Sequence, residues 1–462
     1  MPQTYREADN AALNEPLLGH SRPQDPNGRA TPKDGKASLA SSIGNLANTI
    51  LGTGMLSFPL AMASGGIIPG VITCIFSGCT AAFGLYLLSR CAAKAPHRKS
   101  SFFAISQMTF PSASVWFDTA IAIKCFGVSI SYLIIIKGLM PSVVAALYHA
   151  LLPSDPPEWA LSGRVWISLF MVILVPLCFL RDLHSLRHTS YVALFSVAYL
   201  VTVVVICYIF PPKGMPNPGA IHLIHFTPSF IATFPVQVFA YTCAQNLFPI
   251  YNELKSNTQE RMDIVIGTSI GGACLIYEIV AVLGYLTFGS KVGANIMEMY
   301  PATSLFIACG QIAIVILVLF SYPLQVHPCR NCLDKIVEAA FPTKKLQPVR
   351  VTESVEEDDD VDYDHGAHDE ASPLRHTLLT AVIVICGFTT AYFVSSLQIV
   401  LSFVGSTGST TISFILPGLF FSRLFQDDPK ERVLVNLARG LTLYGCFIFV
   451  FCLGFNLYEI SK

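Results

Sequence analysis

The first stretch of the chain that could do chemistry is residues 44–66, with the sequence GNLANTILGTGMLSFPLAMASGG. It is long and apolar enough to cross a bilayer, which takes about 20 residues. Gly52, Gly54 and Pro59 nevertheless interrupt its helical pattern. Because an unpaired backbone group is costly in hydrocarbon, unwound backbone persists at membrane depth only where it lines a cavity. The stretch therefore predicts a polar cavity that holds a small zwitterion or an ion against helix ends.

A second interrupted stretch lies in residues 222–252, which contain three prolines and a cluster of polar residues. The prolines are Pro228, Pro235 and Pro249, and the polar residues are Tyr241, Thr242, Gln245 and Asn246. A pair of interrupted spans at matching positions of two halves is the best sequence indication of a transport site. We therefore predict that the cavity lies between these two stretches.

Two charged residues fall well inside apolar segments, Lys137 and Glu278. A charge at the centre of a bilayer costs about 2.5–3.5 kcal/mol, so such a residue usually faces the bundle interior or a partner. Both residues are therefore candidates for ion coupling, and our hypothesis is that Glu278 carries a coupling proton. The alternative is a structural ion pair or hydrogen bond inside the bundle.

The composition indicates a membrane protein that crosses the bilayer many times. Of 462 residues, 53% are hydrophobic and 13% are charged, and the mean hydropathy is +0.56. Soluble proteins have about 25% charged residues. The sequence contains no Walker loop, no H-E-x-x-H and no G-x-S-x-G motif. We therefore expect no enzymatic activity, no cofactor, no nucleic-acid partner and no coupling to ATP.

We predict an all-α protein with eleven transmembrane helices. The predicted spans are approximately 38–64, 67–90, 114–150, 163–181, 189–211, 222–252, 263–289, 302–326, 376–394, 396–422 and 439–459. Of the 29 Lys and Arg residues, 23 fall on the same side as the N-terminus and four on the other side. Because basic loops face the cytoplasm, the N-terminus is expected there. An odd total of eleven fits five helices, five inverted helices and one more.

Two segments outside the transporter domain (38–462) are expected to be disordered. Residues 1–37 form a polar cytoplasmic tail with few core-forming residues. The cytoplasmic loop at 345–372 carries ten acidic residues, which repel one another. The loop is either a solvated linker or the binding site of a regulatory partner. Beside it, Cys329 and Cys332 form a C-x-x-C motif, but no second ligand pair accompanies it, so no metal site is predicted.

Several motifs resemble those of the amino acid/auxin permease family. They are NLANTILGTGMLSFP (45–59), SYLIII (131–136), FAYTCAQNLFPIYNEL (239–254), GYLTFG (284–289) and GSTGSTTISFILPG (405–418). The resemblance is strongest to fungal vacuolar amino-acid transporters and weaker to the sodium-coupled neutral amino-acid transporters. It implies a fold like that of the bacterial leucine transporter, with a 5+5 inverted repeat plus one helix.

The resemblance also implies which residues bind the substrate and the coupling ion. The substrate-binding residues would be Thr49, Ile50, Gly52, Thr53 and Gly54 in the first helix, with Ala240 and Tyr241 on the opposite wall. In sodium-coupled relatives, the cation site corresponds to Asn48 and Ser321. Two positions depart from the family pattern: Ala244 stands where relatives commonly have His, and Lys137-Gly138 stands where they commonly have Gly-Asp.

These observations predict a proton-coupled secondary transporter of amino acids that works by alternating access in a vacuolar, lysosome-like membrane. One alternative is an Na⁺-coupled symporter of the plasma membrane. The other is an amino-acid sensor that transports little and signals through the tail or the acidic loop.

Overall fold

The computed structural model of the chain shows a helical protein. The described residues are 35–96, 98–151, 155–180, 189–341 and 373–461. Within these ranges, one isolated bridge between Ala37 and Leu254 is the only extended pairing. The predicted all-α architecture is therefore confirmed. The predictions of disorder for residues 1–34 of the tail and for the loop at 345–372 concern residues outside the described ranges.

The described ranges contain sixteen α-helices. They are α1 (Leu39–Ile50), α2 (Phe58–Gly65), α3 (Ile67–Ala92), α4 (Phe102–Thr109), α5 (Ser114–Leu151), α6 (Gly163–Phe179), α7 (Thr189–Ile209), α8 (Ser229–Ala240), α9 (Leu247–Glu253), α10 (Gln259–Phe288), α11 (Ile296–Met299), α12 (Leu305–Ala340), α13 (Pro373–Phe393), α14 (Leu397–Val404), α15 (Leu416–Leu424) and α16 (Arg432–Ser461).

Eight helices in these ranges are long and apolar enough to cross a membrane, and the bent pair Leu39–Ile50 and Thr53–Gly65 brings the number to nine. In the structure, two further predicted spans do not form a continuous helix long enough for this criterion. α6 has 17 residues, and α8 is separated from α9 by a break. The protein is a multi-pass membrane protein, whereas the total of eleven spans stays a prediction.

The long helix α5 lies in the centre of the bundle. In its most apolar part 83% of the residues are buried, against 28% in α13 and in α16. The peripheral helices present large apolar side chains outward, among them Leu378, Leu443 and Val450. Such side chains suit contact with lipid. The interior of the bundle is therefore built around α5, and α13 and α16 lie at its edge.

Two cations inside the bundle contact the carboxyl ends of helices. The Lys137 Nζ donates to the carbonyl oxygens of Ala391 at 2.7 Å and Val394 at 2.8 Å, at the end of α13. Arg330 donates to the Cys178 carbonyl oxygen, at 3.1 Å, near the end of α6. The last carbonyls of a helix lack partners within it and carry partial negative charge. The contacts of Lys137 are thus those of a helix cap, and they are made with carbonyls rather than with Glu278.

The first described residues are tied to the end of α9. The Ala37 amide donates to the Glu253 carbonyl oxygen at 2.9 Å, and the Lys255 amide donates to the Ala37 carbonyl oxygen at 2.9 Å. Arg98 adds a hydrogen bond to the Leu254 carbonyl oxygen at 3.1 Å. Because α1 begins two residues after Ala37, the start of α1 and the end of α9 are held together.

Replacing Lys137 with Met removes the charged donor from the end of α13. We expect this change to destabilise the protein by about 1–3 kcal/mol, because the carbonyls lose a charged hydrogen-bond partner. Thermal unfolding of the purified protein in detergent would show a lower Tm. Lys213→Met, which removes an exposed Lys, is the control. Equal Tm values for the two variants would contradict the capping role.

Candidate substrate and ion site

The first break interrupts the chain between α1 and α2. α1 ends at Ile50, Leu51 leaves the helical region, and Gly52 is extended with φ −128° and ψ −159°. A 3-10 turn, Thr53–Ser57, then leads into α2, and the two halves are bent by 43°. The interruption predicted from the glycines is therefore confirmed. We call residues 51–52 the first break.

The second break separates α8 from α9. α8 ends at Ala240, and a 3-10 turn, Ala244–Asn246, precedes α9. Thr242 caps α8 with its side chain, because its Oγ1 donates to the Val238 carbonyl oxygen at 3.0 Å. We call residues 241–243 the second break. It lies within the polar cluster that predicted an interruption in this span.

The two breaks face each other at close range. A Cβ atom on Gly54 would lie 2.8 Å from the Ala240 Cβ, so a larger residue has no room there. The Asn246 Nδ2 donates to the Thr49 Oγ1 at 2.7 Å, and Thr49 in turn donates to the Asn45 carbonyl oxygen at 3.0 Å. The structure therefore brings together Thr49, Gly54 and Ala240, which the resemblance assigned to substrate binding.

Tyr277, on α10, links the ends of the two interrupted helices. Its hydroxyl oxygen lies 2.6 Å from the Ile50 carbonyl oxygen and 3.0 Å from the Ala240 carbonyl oxygen. The Phe58 ring stacks on the Tyr277 ring at a centroid distance of 4.6 Å. Sequence reasoning missed this residue, because a Tyr in an apolar helix carries no signal of the two carbonyls that it will meet.

The first break leaves backbone donors available at the start of the second half-helix. Among the backbone hydrogen bonds of the described residues, the amides of Gly52, Thr53 and Gly54 have no acceptor. The start of a helix carries partial positive charge and binds anions through such amides. The last carbonyls of α1, next to them, carry partial negative charge. This arrangement can hold a carboxylate and an ammonium group side by side.

Glu278 follows Tyr277 on α10 and lies in a weakly polar environment. Both carboxyl oxygens are buried, and they accept no hydrogen bond from the described residues. The carboxyl group and the thiols of Cys74 and Cys274 lie within 4.8 Å of one another. The Cys74 Sγ is 3.3 Å from the Tyr241 hydroxyl oxygen. Glu278 is therefore connected to the second break through Cys74 and Tyr241.

The remaining predicted ion-coupling residues, Asn48, Ser321 and Lys137, lie on three different helices. Asn48 lies in the last turn of α1, next to Thr49, and Ser321 lies near the middle of α12. Lys137 caps α13, as described above. Cys329 and Cys332 are both buried on α12, and the Cys329 Sγ is 3.5 Å from the Ala122 carbonyl oxygen.

Comparison with known proteins gives consistent matches over almost the whole chain. A family model described as "Transmembrane amino acid transporter protein" matches residues 35–460. "Vacuolar amino acid transporter 5" of Schizosaccharomyces pombe is 40% identical over 439 residues, covering 92% of this chain and 96% of that protein. "Vacuolar amino acid transporter 6" of Saccharomyces cerevisiae is 36% identical over 451 residues, covering 90% and 98%.

A solved structure shows the same fold. The inward-facing conformation of Mhp1 matches with a TM-score of 0.55 at 13% identity, and the match covers 92% of this chain and 90% of that chain. This likeness confirms the predicted leucine transporter-like fold.

Replacing Tyr277 with Phe removes the hydroxyl between the two helix ends and keeps the ring. We expect hydrogen–deuterium exchange in residues 49–55 and 239–246 to become about fivefold faster, from the loss of about 1 kcal/mol of hydrogen bonding. Mass spectrometry of the purified protein would measure this.

Tyr285→Phe is the matched control for this prediction. Tyr285 is also buried on α10, but its hydroxyl accepts from the His222 amide, at 3.0 Å, away from the breaks. Unchanged exchange around both breaks in Tyr277→Phe would show that the hydroxyl does not hold them.

Proposed function

Because this chain belongs to the transmembrane amino acid transporter family, we propose that it moves amino acids across a membrane by proton-coupled, secondary active transport. The observation that carries the proposal is the direct contact of two interrupted helices, Gly54 against Ala240. The proposed substrate position is beside this contact, at the first break. The substrate carboxylate is held by the amides of residues 52–54, and the substrate ammonium group by the last carbonyls of α1.

The hydrogen bonds divide the four half-helices into two pairs. Thr49 of α1 bonds Asn246, at the start of α9, and the residues before α1 pair with those after α9. Ser64 of α2 lies 2.7 Å, Oγ to Oγ1, from Thr233 of α8. Each pair can therefore move as a unit, one closing the cytoplasmic side of the site and the other closing the opposite side. Alternating access follows if the two pairs open in turn.

Proton coupling is assigned to Glu278. A buried carboxylate without a counter-charge or a good donor is costly, so binding of a proton relieves that cost. Glu278 lies close to Cys74, and Cys74 contacts Tyr241 in the second break. Protonation of Glu278 can therefore affect the second break through these contacts. A pH difference of about 2 units supplies about 2.7 kcal/mol per proton, enough for roughly a 100-fold substrate gradient.

The vacuolar membrane is the proposed location. Its support is that the relatives at 40% and 36% identity bear the name of vacuolar amino acid transporters. With an acidic lumen on the side opposite the N-terminus, symport would run toward the cytoplasm.

Replacing Glu278 with Gln should abolish uptake driven by a pH gradient and leave amino-acid exchange measurable, because Gln keeps the shape but cannot carry the proton. The assay is uptake into proteoliposomes, with the pH gradient and Na⁺ varied separately. Glu298→Gln is the control, since the Glu298 carboxylate accepts from Asn295 at 2.8 Å, away from this cluster.

Three results would count against the proposed coupling or against transport itself. If uptake driven by a pH gradient persists in Glu278→Gln, then Glu278 does not carry the coupling proton. Uptake by the unmodified protein that needs Na⁺ and ignores the pH gradient would favour coupling at Asn48 and Ser321 instead. Binding of amino acids without flux would favour a sensor over a transporter.

A further inference from the structure

Two thiols and a carboxyl group come together between α3 and α10. The Sγ atoms of Cys74 and Cys274 and a carboxyl oxygen of Glu278 all lie within 4.8 Å of one another. Cys74 is on α3, whereas Cys274 and Glu278 are one turn apart on α10 and so share a face of that helix. Among the residues that the structure describes, this is the only group of three or more Cys, His, Asp or Glu side chains placed closely enough to hold a metal ion.

The protein itself leaves this cluster without strong partners. Both carboxyl oxygens of Glu278 are buried, and neither has a hydrogen-bond partner in the described ranges. Cys74 is completely buried, and its Sγ lies 3.3 Å from the Tyr241 hydroxyl oxygen. A buried carboxylate is costly unless it is paired or coordinates a metal ion. A cation bound between the two sulfurs and the carboxyl group would supply the missing partner.

The donor types select the kind of ion. Thiolate sulfur and carboxylate oxygen are both ligands of Zn²⁺, whereas Mg²⁺ and Ca²⁺ are bound by oxygen alone. With Zn–S bonds of about 2.3 Å and Zn–O bonds of about 2.0 Å, the ligand atoms of one tetrahedral zinc lie about 3.5–3.8 Å apart. The three donors of the cluster therefore need to close by only about 1 Å to hold a single zinc ion.

The surroundings of the cluster suit a bound ion. Once the Cys74 thiol has lost its proton, the Tyr241 hydroxyl is the donor in their 3.3 Å contact. Hydrogen bonds of this kind hold metal ligands in place. Gly78, one turn further along α3, leaves room for the Tyr241 ring, because a Cβ there would lie 3.3 Å from the Tyr241 Cζ. Cys274 is partly exposed, so the cluster is not sealed inside the bundle.

We propose that Cys74, Cys274 and Glu278 form a binding site for Zn²⁺. The two thiols release their protons when they bind the ion. Because Cys74 contacts Tyr241, an ion that fixes Cys74 also restrains the second break, and bound zinc slows transport. The ion also occupies the carboxylate to which the coupling proton is assigned. The effect on transport rests on the proposed function, whereas the binding of zinc does not.

The test of binding uses the purified full chain in detergent, titrated first with Co²⁺ and then with Zn²⁺. Cobalt takes the place of zinc in such sites and is coloured when it is tetrahedral and bound to thiolates. We expect this absorption to appear with Co²⁺ and to disappear when Zn²⁺ displaces it. In Cys274→Ser the zinc affinity should fall about 100-fold or more, since loss of even a supporting contact costs about 10–100-fold.

Two further variants separate loss of the site from loss of the fold. Cys79→Ser removes an exposed thiol that is also on α3, and it should keep both the cobalt absorption and the zinc affinity. Cys274→His replaces one zinc ligand with another. It should bind zinc much more tightly than Cys274→Ser does, while its cobalt–thiolate absorption is weaker than that of the unmodified protein.

The test of the effect on transport adds Zn²⁺ to proteoliposomes during amino-acid uptake. We expect zinc to inhibit the unmodified protein and Cys79→Ser at the same concentration. Cys274→Ser should need at least about 10-fold more zinc for the same inhibition, in line with its weaker binding.

The outcomes separate the site from its effect. Equal zinc affinity in the unmodified protein, Cys274→Ser and Cys79→Ser would overturn the site. Zinc binding that depends on Cys274, with uptake that zinc leaves unchanged, would overturn the effect on transport alone. If no amino acid is taken up even without zinc, the proposed function fails and the cobalt and zinc titrations still decide the site.

Discussion

A phenol hydroxyl on α10 meets two helix ends that a bilayer interior would otherwise leave without partners. Tyr277 lies within hydrogen-bond distance of the Ile50 and Ala240 carbonyl oxygens. The last carbonyls of a helix lack partners within it, and in hydrocarbon such a group needs a donor from elsewhere. Because a hydroxyl has a single proton, Tyr277 donates to one of these carbonyl oxygens at a time while lying within reach of both. The proximity of the two breaks, and with it the proposed substrate site, depends on this contact.

The site also requires backbones to approach more closely than ordinary side chains allow. A Cβ on Gly54 would meet Ala240, and a Cβ on Gly405 would meet the Pro235 carbonyl oxygen. Small residues at such positions are how membrane helices pack without a hydrophobic driving force between them. The glycines therefore have two effects in this protein. Gly52 is the extended residue that interrupts the first helix, whereas Gly54 and Gly405 let neighbouring elements reach the interruption.

Sequence reasoning located the breaks but not the groups that complete them. Gly52 and the prolines around Tyr241 change backbone behaviour locally, so both interruptions could be predicted from spacing. The contacts of Tyr277 depend on which helices pack together and on which way its side chain points, and local pattern carries neither. Lys137 shows the same limit, because its position predicted a buried charge and only the packing against α13 revealed its carbonyl partners. The number of spans has a related difficulty, since the interrupted and short helices fall below the length that a continuous span needs.

The interior charges can be sorted by how fully the protein itself satisfies them. Lys137 and Arg330 contact helix ends, where fixed carbonyls hold them. Glu278 and Lys124 differ, because the carboxyl oxygens of one accept no bond among the described residues and the ammonium group of the other makes a single long one. Glu278 borders the second break through Cys74 and Tyr241. In the proposed mechanism, an incoming proton satisfies Glu278. A buried carboxyl group without a protein partner beside the proposed substrate position would link proton binding to substrate binding, which is the requirement for coupling their movement.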